Sequence, residues 1–202
     1  MNRMRSTFIL ATAAALLPGC ATIPRAGPVD VTRFHLGAPI AGDSIAVQPL
    51  TSFAGVSPED AVYAGAVSNE LGQLGFTPGG GESSPYIAAF SYKHMSRGSV
   101  RTPPPVTIGL GGGSYGGGRR GGVGVGGGAS VGIGGQTVQI IATELSVQIK
   151  RRADNTILWE GRAITEGPGG AKGLMPSETA DRLAKALFKG FPGESGITIT
   201  VK

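Results

Sequence analysis

The sequence predicts an α+β fold: a mostly antiparallel sheet with two helices packed on one face, plus a glycine-rich insertion. Three observations lead there. Two segments repeat apolar residues at helical spacing on one side only, so each needs a sheet or a partner to cover it. The segments around them alternate apolar and polar residues, the mark of half-buried strands. The order along the chain is strands, helix, strand, glycine segment, hairpin, helix, strand.

The chain opens MNRMRSTFILATAAALLPGC. Arg3 and Arg5 form a positive start, and Phe8 to Leu17 is a short apolar run. It falls well short of the roughly 20 apolar residues that span a bilayer as a helix, so it reads as an export signal covering residues 1–19. Leu17-Pro18-Gly19-Cys20 resembles a bacterial lipobox. That resemblance implies that Cys20 takes a diacylglyceryl thioether and becomes a palmitate-type acylated N-terminus. Each buried CH₂ of such chains adds about 0.8 kcal/mol, so several chains hold a protein firmly on a bilayer. Ala21, rather than Asp, follows the cysteine, which by the same resemblance points to the outer membrane and a domain facing the periplasm. Cys20 is the only cysteine, so the exported fold rests on packing and not on disulfides. Residues 20–30, with two prolines and a glycine after Cys20, form a lipidated tether.

The remaining residues, 31–202, suit one domain with a single core. The formal charge of +5 includes Arg3 and Arg5 of the signal. What is left is too sparse for nucleic acid, which requires a dense Lys/Arg face. Val31 to Leu36 and Ser44 to Leu50 are expected strands. The first helix follows Ser57-Pro58-Glu59-Asp60: Ser57 caps, Pro58 sits where a missing N–H costs nothing, and Asp60 closes a capping box. Val62, Tyr63, Ala66, Val67, Leu71 and Leu74 make its apolar side, and Gly75 ends it. Pro85 to Met95 is a strand with Tyr86, Ala88, Phe90 and Tyr92 on one face. Residues 137–150 form another, with Thr143, Leu145, Val147 and Ile149 inward. Asp154-Asn155 turns it into ILWEGRAIT, and ITITVK is a terminal strand. The second helix opens at Ser177, after Pro176. It lines up Ala180, Leu183, Ala184, Leu187 and Phe188, turns Lys185 and Lys189 elsewhere, and stops at Gly190.

The lipobox start, the helix ending LGQLGF, the strands YIAAFSY and TILWEGRA, and the ending ALFKGFPGESG together resemble the DUF4136 family of bacterial envelope lipoproteins. The resemblance covers roughly Val29 to Lys202. Asn155 to Gly161 matches the family's tryptophan-glycine hairpin best. It implies an α/β domain of about this length with a C-terminal helix, and it carries no catalytic residues.

The glycine-rich segment 109–135 raises a separate question. A dinucleotide fingerprint fails, because Ala129 replaces the last glycine and no helix former follows. A phosphate-binding Gly-Lys-Ser/Thr is absent, and Arg119-Arg120-Gly121-Gly122 occurs once only, so nucleotide and RNA readings fall away. Two options stay open, with a third behind them. Gly109 to Gly122 is a flexible loop with Tyr115, Arg119 and Arg120 as an interaction tip. Alternatively, the alternating Val106, Ile108, Leu110 and Val131, Ile133 form glycine-faced strands. The third is a self-association or membrane-contact element.

The candidate chemistry is thin. His35 and His94 are the only imidazoles, and no spacing for a metal site accompanies them. Gly193-Glu194-Ser195-Gly196 lacks the start of a nucleophile elbow. Tyr86, His94 and Trp159 are the candidates for lining a ligand cleft, with packing as the plainer reading. The expected function is therefore a non-enzymatic, outer-membrane-anchored lipoprotein, structural or adaptor-like, that meets the bilayer through Cys20 and has an envelope protein as partner. A small-ligand or cell-wall binding module is the alternative, and an enzyme of unrecognised type the last one. No cofactor, metal, nucleotide or nucleic acid is expected.

Overall fold

A computed structural model describes residues 25–51, 57–101, 106–110, 129–133 and 135–202. Its centre is a seven-stranded sheet. The strands are β1 (Val29–His35), β2 (Ser44–Pro49), β3 (Thr77–Pro78), β4 (Tyr86–Arg101), β7 (Thr137–Arg151), β8 (Ile157–Pro168) and β9 (Thr198–Val201). Their spatial order is β3-β2-β4-β7-β8-β1-β9. The helices are α1 (Pro58–Gln73) and α2 (Pro176–Phe188).

The sheet is mixed, which corrects the expected mostly antiparallel one. β2 runs parallel to both β3 and β4. The remaining pairings, β4–β7, β7–β8, β8–β1 and β1–β9, are antiparallel. The physical reason is α1. A helix between two strands carries the chain back across the sheet face, so the next strand starts from the same end as the first. β2–α1–β4 is such a unit, and the short β3 between them takes the outer side of β2.

α1 starts where its capping chemistry places it. The Asp60 amide donates to Ser57 Oγ at 3.0 Å, and the Ser57 amide donates to Asp60 Oδ2 at 2.7 Å. Tyr63, Ala66, Val67 and Leu71 are buried under it, but Leu74, the last expected core position, lies at the rim. α2 begins at Pro176 after Met175, with no side-chain cap. Both helices pack into one cluster with Val29, Val31, Phe90, Leu145, Val147, Ile149 and Trp159, so they share one face of the sheet. The opposite face carries Gln148, Glu160, Ser146, Glu144 and Arg162, linked by polar contacts.

Two buried features tie β1 and β8 to α2. In β1 the inward register Val29, Val31 brings Arg33 into the core, only 4% exposed. Its guanidinium donates to the carbonyls of Leu187 (2.8 Å), Ala186 (2.9 Å) and Lys189 (3.0 Å), at the end of α2 where carbonyls lack helical partners. Burial lowers its pKa. In β8, Trp159 and Gly161 are same-face neighbours. A Cβ on Gly161 would lie 2.4 Å from the indole and 2.8 Å from Leu187, so the glycine leaves the space that the ring fills.

The glycine-rich region divides. Val106–Leu110 (β5) and Ala129–Ile133 (β6) pair antiparallel in a separate two-stranded sheet, with Val106 opposite Ile133 and Leu110 opposite Ala129. Tyr115, Arg119 and Arg120, the expected interaction tip, lie outside the described residues, as do Cys20 and the signal segment.

Candidate functional site

The three expected cleft residues do not come together. Trp159 is fully buried and its Nε1 donates to the Pro192 carbonyl at 2.9 Å. It stacks on Phe188 with ring centres 5.3 Å apart and touches Phe191 at the same distance. Tyr86 meets Phe76 edge-on at 6.4 Å, beside the core. Both are packing residues. His35 holds a turn: its Nε2 lies 3.1 Å from the Gly193 carbonyl and its Nδ1 accepts from the Gly37 amide.

His94 has a different setting. Its Nδ1 is 3.0 Å from Thr143 Oγ1 and its Nε2 is 3.0 Å from Glu59 Oε1. β4 carries the imidazole, β7 the hydroxyl and the first turn of α1 the carboxylate. The three groups face a recess of about 160 Å³ that Leu174 and Pro176 also line. A carboxylate, imidazole and hydroxyl in series resemble the relay that activates a nucleophile. Here the hydroxyl is on a strand residue only 3% exposed, paired on both sides in the sheet. A reacting carbonyl needs access to that oxygen and a donor pair for its charge. The array therefore works as a clasp that fastens the start of α1 to β4 and β7. Tyr92 supports it from the other side, with its ring 5.8 Å from His94 and stacked on Tyr63 at 4.2 Å.

A larger recess lies elsewhere. It opens between the end of α1, the outer side of α2 and the paired ends of β1 and β9, with a volume of about 460 Å³. That size falls among small-molecule sites, which span about 300–1,000 Å³. Leu74 and Val201 supply apolar surface, with Val29 and Phe188 almost wholly buried behind them; Arg182, Lys185, Lys189 and Lys202 supply positive charge and Glu70 one negative charge. Three of these cations, Arg182, Lys185 and the capping residue Lys189, follow from helix geometry, because spacings of three and four place side chains on one stripe. Arg182 is held in place: Nη2 donates to the Gly27 carbonyl at 2.7 Å and also to Thr165 Oγ1. Burial lowers its pKa. Sequence reading placed Leu74 in the core and turned the two lysines outward, so this groove was missed. The cationic stripe of α2 was the signal that could have found it.

Among the described residues no group of three or more His, Cys, Asp and Glu side chains is placed to hold a metal ion. No described helix is long and apolar enough to cross a membrane.

Comparison with known proteins bears on the whole arrangement. The sequence pattern of a domain of unknown function, DUF4136, matches residues 48–193, more than half of the chain. The chain belongs to the DUF4136 family. An uncharacterised protein of Zymomonas mobilis is 44% identical over 72 residues, which is 36% of this chain and 27% of that one. The chain thus matches little more than a quarter of that curated relative's length. Among solved structures, a variant PelC dodecamer from Paraburkholderia phytofirmans aligns with 78% of this chain and 92% of its own, at 10% identity and a TM-score of 0.45. A PDZ domain protein from Parabacteroides distasonis aligns with 88% of this chain and 39% of its own, at 10% identity and a TM-score of 0.49. At these scores neither likeness carries a functional argument for the DUF4136 domain.

Proposed function

We propose that this DUF4136 protein is a lipid-anchored, non-enzymatic component of the bacterial envelope, held at the outer membrane through Cys20 and acting as an adaptor on the periplasmic side. The observation that carries this reading is the run from Phe8 to Cys20: a short apolar segment that ends in a leucine three residues before a lone cysteine. The described residues support binding over chemistry, because the relay-like array of Glu59, His94 and Thr143 ends in a buried hydroxyl. Phe34 and Leu36, at the end of β1, are 55% and 66% exposed and offer apolar contact to an envelope protein.

The test is Cys20→Ser in cells fed a palmitate analogue. Labelling and membrane fractionation should both disappear in the variant. Undiminished labelling would overturn the anchor. Crosslinking in intact envelopes, followed by capture of the wild-type chain, should yield a partner that is lost when Phe34 is replaced by Asp. The second reading, a small-ligand module, is favoured by the groove of about 460 Å³ between α1, α2 and β9.

A further inference from the structure

We propose that the groove beside α2 binds an anionic amphiphile: a single apolar chain that ends in a carboxylate or a phosphate. The inference rests on reading the groove as a ligand site, and it does not depend on acylation of Cys20.

The surface has two parts that a single ligand class matches. The floor is apolar. Leu74 remains 36% exposed at the end of a helix whose other large apolar residues are mostly covered, and the half-buried Val201 lines the same opening, with Phe188 almost wholly buried behind them. Apolar side chains in a concave recess gain by excluding water, and only an apolar ligand segment supplies that gain. The rim is cationic. Arg182 and Lys185 stand on α2, Lys189 caps its end and Lys202 follows β9, with Glu70 as the one acid among the groove's side chains.

A helix C-terminus carries partial negative charge, which normally repels an anion. Here the carbonyls of Ala186, Leu187 and Lys189 already accept hydrogen bonds from Arg33. That cation offsets the helix end from within the core and leaves the rim lysines free to take a ligand's charge. The two parts differ in stiffness as well. Arg182 is fixed by the Gly27 carbonyl, whereas Lys185 and Lys189 are exposed and can close over a head group.

A bare anion would leave the apolar floor wet. An uncharged lipid would leave the cationic rim without a counter-charge. A flat bilayer surface does not fill a concave recess of about 460 Å³.

The experiment uses the full chain and soluble probes below their micelle concentrations: dodecyl phosphate and dodecanoate, with inorganic phosphate and dodecyltrimethylammonium as controls. Calorimetry gives stoichiometry and affinity. Emission of Trp159, which stacks on the groove residue Phe188, gives a second readout. One anionic amphiphile should bind per chain, and both controls should bind at least about tenfold more weakly. Lys185→Glu with Lys189→Glu should weaken dodecyl phosphate by about tenfold or more while far-ultraviolet dichroism is unchanged. A phosphate head preferred over a carboxylate identifies a phospholipid-like source, and the reverse identifies a fatty acid. Equal binding of the cationic detergent, equal binding of inorganic phosphate, or an unchanged affinity in the double variant would each overturn the proposal. None of these outcomes touches acylation of Cys20, so failure here and failure of the anchor are separable.

Discussion

Arg33→Met isolates what a buried cation does for the end of a helix. The methionine keeps most of the aliphatic stem in place and removes every donor. Three carbonyls then lose their partner, those of Leu187, Ala186 and Lys189. Hydrogen bonds from a charged group contribute about 1.5–3 kcal/mol each, which sets a gross loss of about 4–9 kcal/mol. Two effects reduce it. The guanidinium no longer has to be desolvated, and the Lys189 carbonyl lies near the surface, where water replaces the lost donor. A net destabilisation of about 3 kcal/mol remains. The assay is urea unfolding followed by the emission of Trp159, the only tryptophan, which sits in the same cluster. With a slope of about 2 kcal/mol per molar urea, the midpoint should fall by about 1.5 M. Arg33→Lys keeps the charge but loses the fork of donors, and should fall between the two. A methionine variant whose midpoint stays within about 0.3 M of the wild type would show that the buried guanidinium contributes no net stability, and would refute the reasoning.

Four further outcomes are expected. Gly161→Ala drives a methyl into the indole of Trp159 and should cost about 1–3 kcal/mol, read as a lower urea midpoint with a perturbed emission maximum. Tyr63→Phe should be neutral or stabilising, by up to about 1 kcal/mol, because the buried hydroxyl finds no protein partner while the ring keeps its stacking on Tyr92; a clear loss would reveal a bond to that oxygen. Asp60 has its carboxyl held below the usual range, chiefly by the Ser57 amide, so its contribution is present above the unfolded carboxylate value and is lost as pH falls through the lower folded value; Asp60→Asn should flatten the acid limb of stability against pH, and an unaltered limb would contradict the capping role. Replacing residues 111–128 by Asn-Gly should leave the urea midpoint within about 0.5 M, since Leu110 and Ala129 lie directly opposite each other and a tight turn can join them.

How much of this was legible follows from the range of the signals. Ser57 and Asp60 are three residues apart, and their reciprocal bonds could be read directly. The hairpin of β7 and β8 was equally local, with Asp154 and Asn155 at its turn. Parallel pairing of β2 with β4 was not read, although a helix between two strands was already in view; the strands themselves carry no mark of direction. Arg33 was not singled out, although its register with Val29 and Val31 points inward. The groove was missed for a different reason. Leu74 continued the apolar spacing of α1, and nothing in that spacing tells where the covering sheet ends. His94 was recognised as a candidate, yet its partners Glu59 and Thr143 come from segments 35 and 49 residues away.

The place of β1 between β8 and β9 has a consequence for the order of events in folding. Thr32 shares a hydrogen bond with Thr198 across 166 residues of chain, and Asp30 accepts one from Thr200 across 170. Closing so large a loop is entropically demanding, and chains dominated by such distant pairings collapse slowly. In a chain that emerges from its first residues onward, β1 waits for β8, residues 157–168, before it has one neighbour, and for β9, residues 198–201, before it has both. One edge of β1 thus stays unpaired until those final residues arrive. The final few residues act as the latch that closes that edge.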